Sequence, residues 1–289
     1  MKRKIISFVI CVMLCLSSLS VFAACKDENG TISKAKAKRE LYAAFQTVKN
    51  SDAVFMKTEN ETGYVSIYAS ENLCFEEFES NGNQTWSEKE GDYWYDYDKY
   101  TDFVGEQPTI KFVKRLSLDI KEDPRVALSA SLQQYTHNVF SKASKEKDEL
   151  KVVYKKIQEG KTVNFTYVVK KGKLQSIQGG IDAEAFTVTL KYGQEAVDSV
   201  PIKPSGVEWD VYVPSIEIEG LKEQYNVGEV LNYDYLTINY FEDESTEIPQ
   251  EIEVTPDMIE GFSTSEAGNF QMTIKFLNLT LEIDYEVIE

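Results

Sequence analysis

His137 is the single histidine of the chain, so a Ser-His-Asp or Cys-His relay would have to run through it. It sits in Tyr135-Thr136-His137-Asn138, and no glycine-framed serine offers it a nucleophile. One histidine beside so few cysteines does not make a zinc set. No phosphate-cradling glycine loop occurs. Paired carboxylates, as in a glycosidase, are the catalytic route that composition leaves open. The chain has 48 Asp and Glu, and spacing in sequence does not set spacing in the fold. The expectation is that the chain is not an enzyme and takes no cofactor; a wall-acting hydrolase ranks last. Glu242-Asp243-Glu244 and Glu282, Asp284 and Glu286 offer oxygen ligands. No alternating Asp/Asn loop with a central glycine frames them, so they read as solvated surface and no metal site is assigned.

Aromatic residues give the other chemistry. Trp86, Tyr93, Trp94, Tyr95 and Tyr97 crowd one region, followed by Tyr100 and Phe103. Such side chains stack on sugars or line an apolar cavity. They also favour strands for packing reasons alone. The first five are the candidate ligand-binding residues, for a lipid or cell-wall ligand.

Cys25 is the third chemical position. Lys2, Arg3 and Lys4 form a positive start, Ile5 to Leu19 is mostly apolar, and the small residues Ala23 and Ala24 precede the cysteine. That is the order of a secretory signal. Val21-Phe22-Ala23-Ala24-Cys25 resembles the lipobox of bacterial lipoproteins, with Phe22 where leucine is usual. The resemblance implies cleavage after Ala24 and a diacylglyceryl group on Cys25, the lipid attachment residue. It also implies export and anchoring to the outer face of the bacterial cell membrane. One acyl chain holds a protein weakly and two hold it stably. A cleaved signal without lipid, and an uncleaved span over Ile5–Ala24, are the alternatives; Ser7, Ser17, Ser18 and Ser20 weaken the latter.

Of four cysteines, at 11, 15, 25 and 74, only Cys74 is left for the folded part, so no internal disulfide is expected. It reads as a small buried hydrophobe. The net charge is −17, and −20 without Lys2, Arg3 and Lys4. Residues 212–289 hold 18 Asp and Glu against Lys222 and Lys275, a net −16. That excludes nucleic acid as a partner, since phosphate binding needs clustered Lys and Arg. It also sets the distal part against an anionic membrane surface.

These residues need elements to place them. After the signal, 1–24, and a polar tether, 25–32, Ser33 is a fair N-cap for a helix over 33–49, with Leu41, Phe45 and Val48 on one face. Its Lys34, Lys36, Lys38 and Arg39 form a solvated side that could touch lipid headgroups. Period-two runs then predict strands at 53–59, 64–70, 72–79, 83–89 and 92–98, an antiparallel meander. Pro108 is expected to open a short helix with Ile110, Val113 and Leu116, and Pro124 another with Val126, Leu128 and Leu132. Ser141 to Asp148 reads as a charged loop. Strands resume at 149–157, 161–170, 173–179 and 183–192.

The fold class so predicted is an α+β domain over 33–205, a curved antiparallel sheet with helices on one face. The order of elements over 33–204 resembles the periplasmic lipoprotein-carrier (LolA-like) family. That resemblance implies a half-barrel around an apolar cavity for acyl chains. Val200-Pro201-Ile202-Lys203-Pro204-Ser205-Gly206 reads as a linker. From 206 to 289 an all-β sandwich is expected. Tyr225-Asn226-Val227-Gly228-Glu229 and Gly261-Phe262-Ser263-Thr264 leading to Gly268 resemble the bacterial Ig-like repeat family of surface proteins. There the resemblance implies a spacer or adhesive module with a protein partner. The functional expectation is a surface-anchored, non-catalytic protein that binds a ligand or scaffolds. The alternative is an interaction protein that contacts wall or protein partners without a small ligand.

Overall fold

The computed structural model describes residues 30–104, 107–118, 123–158 and 160–289. The signal over 1–24, Cys25 and most of the tether lie outside the described residues.

The chain divides into two compact units. The first comprises residues up to Ser87, then 99–110 and 119–205; the second comprises 88–98, 111–118 and 206–289. The first part of the chain runs α1 (Lys34–Asn50), β1 (Ala53–Asn60), β2 (Gly63–Ser70), β3 (Leu73–Phe78), β4 (Asn83–Glu90), β5 (Tyr93–Val104) and β6 (Gln107–Leu116). It continues through α2 (Pro124–Leu132), β7 (Val139–Glu146), β8 (Glu149–Gln158), β9 (Lys161–Lys170), β10 (Lys173–Gly179), β11 (Phe186–Tyr192) and the short α3 (Gln194–Val197). After these come β12 (Asp210–Val211), β13 (Ser215–Glu219), β14 (Gln224–Asn226), β15 (Thr237–Phe241), β16 (Gln250–Glu253), β17 (Ile259–Glu260), β18 (Gly268–Phe276) and β19 (Leu279–Ile288).

The predicted fold class is corrected here. Among the described residues strand makes up 53% against 17% helix, and one sheet has twelve strands, so the fold is mostly β and not an α+β domain with helices on a face. The strand order is β12-β6-β5-β4-β3-β2-β1-β11-β10-β9-β8-β7. Two segments account for much of the difference. Residues 107–116 form strand β6, where Pro108 was expected to open a helix. The run Thr109-Ile110-Lys111-Phe112-Val113 is β-branched and aromatic, and pairing with β5 settles it as strand. Ser141 to Glu146, expected as a loop, belongs to β7; within that stretch the buried apolar residue is Ala143, which pairs with Val152 of β8. A single alanine is too weak a period-two signal to read in advance.

In the first unit α1 follows its apolar spacing. Ser33 accepts a hydrogen bond from the Lys36 N–H, and Ala37, Leu41, Ala44, Phe45 and Val48 are buried. They share one core with Val54 and Met56 of β1 and with the inward residues of β8, β9, β10 and β11. Each large apolar side chain buried there contributes about 1.5–3 kcal/mol. Phe45 meets Tyr167 edge-on at 5.8 Å, and Tyr135 stacks on Phe165 at 4.5 Å. The Tyr167 hydroxyl donates to the Leu132 carbonyl at 3.0 Å, and burial raises its pKa well above the ordinary phenol value. Asp123 caps α2 by accepting from the Arg125 N–H at 2.9 Å. Ser129 ties α2 to α1 by donating to the Phe45 carbonyl at 2.9 Å.

Phe55, Tyr68, Phe75 and Trp86 are buried on the other side of β1–β4, because successive side chains of a strand alternate. Trp86 tilts onto Phe75 at 5.4 Å and donates its indole N–H to the Pro201 carbonyl at 3.0 Å. The segment after α3 therefore lies against this face.

In the second unit β13-β15-β16 form one sheet and β14-β19-β18-β17 another. β14 runs parallel to β19, and the other pairs are antiparallel. Ile238, Tyr240, Met272, Ile274, Phe276, Tyr285 and Val287 make their shared core. Gly220, at φ +88°, has no room for a side chain, since a Cβ would sit 2.0 Å from the Tyr235 carbonyl oxygen.

Candidate ligand-binding surface

The five aromatic candidates do not form one surface. Trp86 is buried in the first unit, 2% exposed. Trp94 is also buried, at 7%, and lies on the opposite side of β5 from its neighbours Tyr93 and Tyr95. Tyr93, Tyr95 and Tyr97 do come together, half-buried on one face of β5 within the second unit.

Strand alternation lines these three up, and each hydroxyl has a partner. Tyr93 donates to the Leu277 carbonyl at 2.9 Å. Tyr95 accepts from the Asn278 amide at 3.4 Å. Tyr97 donates to the Glu90 carboxylate. Lys114 of β6 lies over the rings of Tyr95 and Tyr97 at 4.6 and 5.0 Å and pairs with Glu90 at 3.0 Å. Burial, followed by the bond to Glu90, raises the Tyr97 phenol despite the nearby ammonium. Burial alone would lower Lys114, but Tyr97 and Glu90 outweigh it and raise its pKa.

Sequence reasoning missed Trp209. It meets Tyr97 at 5.1 Å and Phe112 at 5.5 Å, both edge-on. The parallel pairing of β12 with β6, Asp210 opposite Val113 and Val211 opposite Lys114, places it. A two-residue strand has no periodicity to read. Arg115, next along β6 and so on the other side, binds Asp98 and Glu242 at 2.8 Å each and Asp96 at 3.8 Å. Burial by itself would lower its pKa; the three carboxylates hold it above its ordinary value. Beside this cluster the buried Tyr240 hydroxyl has no hydrogen-bond partner among the described residues. Burial pushes it up to about 12.

His137 is exposed at the end of a short 3-10 turn. A recess of about 400 Å³ opens in the first unit, lined by Phe55, Lys57, Tyr64, Glu77, Lys191 and Asp198. Lys57 bonds Glu59 at 2.6 Å, and Lys191 donates to Ser199 at 3.0 Å. Cys74 is buried at 8%. Among the described residues no acidic, cysteine or histidine cluster could hold a metal ion, and no helix is long and apolar enough to cross a membrane.

No family model matches the chain, and no curated protein matches it. Among solved structures it is similar to LprF from Mycobacterium bovis, at 13% identity and a TM-score of 0.36, over 62% of this chain and 100% of that one. A likeness at this level carries no argument about ligand or place in the cell.

Proposed function

We propose that this chain is an exported protein, held by lipid on Cys25 at the outer face of a bacterial cell membrane, with a non-catalytic scaffolding role. The signal pattern ending at Cys25 supports the address. One observation carries the scaffolding part. The hydroxyls of Tyr93, Tyr95 and Tyr97, the surviving stacking platform, are spent on Leu277, Asn278 and Glu90 inside the second unit. Tyr93 and Tyr95 bind β5 to the β18–β19 turn, Tyr97 binds it to the end of β4, and none is held open for a ligand. Residues 214–289, similar to bacterial Ig-like repeats, serve as an acidic spacer or adhesive module facing wall or protein partners. Palmitate labelling that disappears in Cys25→Ala tests the address; labelling of neither form removes it. Native mass spectrometry of the full chain tests the role. A co-purifying acyl ligand would overturn the scaffolding reading.

A second reading rests on the recess in the first unit. Lys57 and Lys191 beside Glu77 and Asp198 suit a small ligand carrying both signs of charge. Saturable binding of such a ligand that Lys191→Ala abolishes would favour it.

A further inference from the structure

The first unit has one end where cations collect. The β9–β10 turn carries Lys170, Lys171 and Lys173, and the β7–β8 turn carries Lys147, all exposed. The two turns touch, with the Lys171 N–H donating to the Asp148 carbonyl at 3.0 Å. The last turns of α1 reach the same place, since Thr47 donates to the Gly172 carbonyl at 3.4 Å. Among the described residues no carboxylate lies within ion-pairing distance of Lys147, Lys170, Lys171 or Lys173. The acidic groups nearby are Glu40 and Glu149, which pair with Lys145 and Lys151, and Glu146 and Asp148. The balance at this end is therefore positive, although the whole chain is −17. Lys147 and Lys171 also sit at φ +52° and +50°, positions that glycine or asparagine ordinarily fill.

The chain enters at this same end. The Lys145 N–H donates to the Gly30 carbonyl at 2.7 Å, one residue before Glu146. Gly30 is five chain steps from Cys25, at most about 18 Å at full extension. A lipid on Cys25 would hold Gly30, whose carbonyl bonds the strand that leads into the Lys147 turn, within about 18 Å of the headgroups. That is within about two Debye lengths at ordinary ionic strength.

We propose that the paired turns Lys147 and Lys170-Lys171-Gly172-Lys173 form a contact surface for anionic phospholipid headgroups that sets how the first unit rests on the membrane. This builds on the lipid anchor proposed above, and its test does not require the lipid. The chain lacking its signal and carrying Cys25→Ser is sedimented with vesicles containing about one third phosphatidylglycerol, or phosphatidylcholine alone, at about 0.1 M salt. Binding to the anionic vesicles alone, lost at high salt, is expected. The variant K147Q/K170Q/K171Q/K173Q should lose about tenfold or more in partitioning. The matching lysine-to-arginine variant should keep it, and K222Q/K275Q should leave it unchanged. Equal binding by the quadruple glutamine variant, or no preference for anionic vesicles, overturns the proposal. Palmitate labelling at Cys25 is scored separately, so failure of the anchor and failure of this surface are told apart.

Discussion

The Thr264 hydroxyl donates to the Glu229 carbonyl at 2.7 Å, and the Thr264 carbonyl accepts from the Gly228 N–H at 2.8 Å. These residues lie 35 apart and come from the two segments on which the Ig-like resemblance rests. Tyr225 and Phe262, from the same segments, meet edge-on at 5.0 Å. Thr264→Val keeps the shape and removes the donor, so it should cost about 1 kcal/mol in urea unfolding. Thr264→Ser should restore most of that.

Arg115 answers three carboxylates at once. Arg115→Met leaves Asp96, Asp98 and Glu242 facing one another, half shielded from water. A loss of about 2–3 kcal/mol is expected, below the figure for a fully buried pair because solvent still reaches the site. Unfolding of the variant should also become more sensitive to salt, which screens the remaining repulsion; a salt-independent loss would contradict this account.

Tyr240 gives an alkaline test. Its phenol is raised by burial to about 12, above the ordinary 10.0. A raised group stabilises fully below its unfolded value, and that contribution is lost as pH climbs through the folded one. Stability should therefore fall between about pH 10 and pH 12 in part through Tyr240. Tyr240→Phe should remove that part. At neutral pH it should change stability by under about 1 kcal/mol, because the hydroxyl it deletes has no partner to lose.

Asp123 gives the acid counterpart. The hydrogen bonds from Arg125 hold its carboxyl below the usual 3.8. A depressed carboxyl contributes above its unfolded value and ceases to contribute as pH drops through the folded one. The stability gap between the native chain and Asp123→Asn should be widest at neutral pH and close below about pH 4. A gap that persists at pH 2 in urea titrations would assign the effect to packing.

Gly220→Ala places a methyl group where the Tyr235 carbonyl already stands. At φ +88° it also strains the backbone, so a loss of more than about 2 kcal/mol is expected. Circular-dichroism melts would register it.

The legible parts of this fold are those with a strong repeat. α1 is found within a residue of its expected ends because Leu41, Phe45 and Val48 recur on one face. β9 is found residue for residue because Val163, Phe165, Tyr167 and Val169 alternate. What stayed hidden depends on partners distant in sequence. β6 is a strand because β5 lies beside it, and Trp209 joins Tyr97 because a two-residue strand pairs in parallel. The membership of 88–98 and 111–118 in the second unit carries no mark in composition. Trp94 falls among the tyrosines in sequence but alternates to the other face of β5, and Trp86 belongs to the neighbouring strand in the first unit; crowding in sequence shows neither.

The pairing of β1 with β11 reaches beyond stability. Asn60 lies opposite Phe186, so one flank of β1 has no neighbour until about 125 further residues have arrived. At ordinary rates of synthesis that wait is roughly 6 to 25 seconds, during which an open strand edge invites the wrong chain. Until residues 186–192 have joined it, that flank of β1 stays free to pair with another copy of itself.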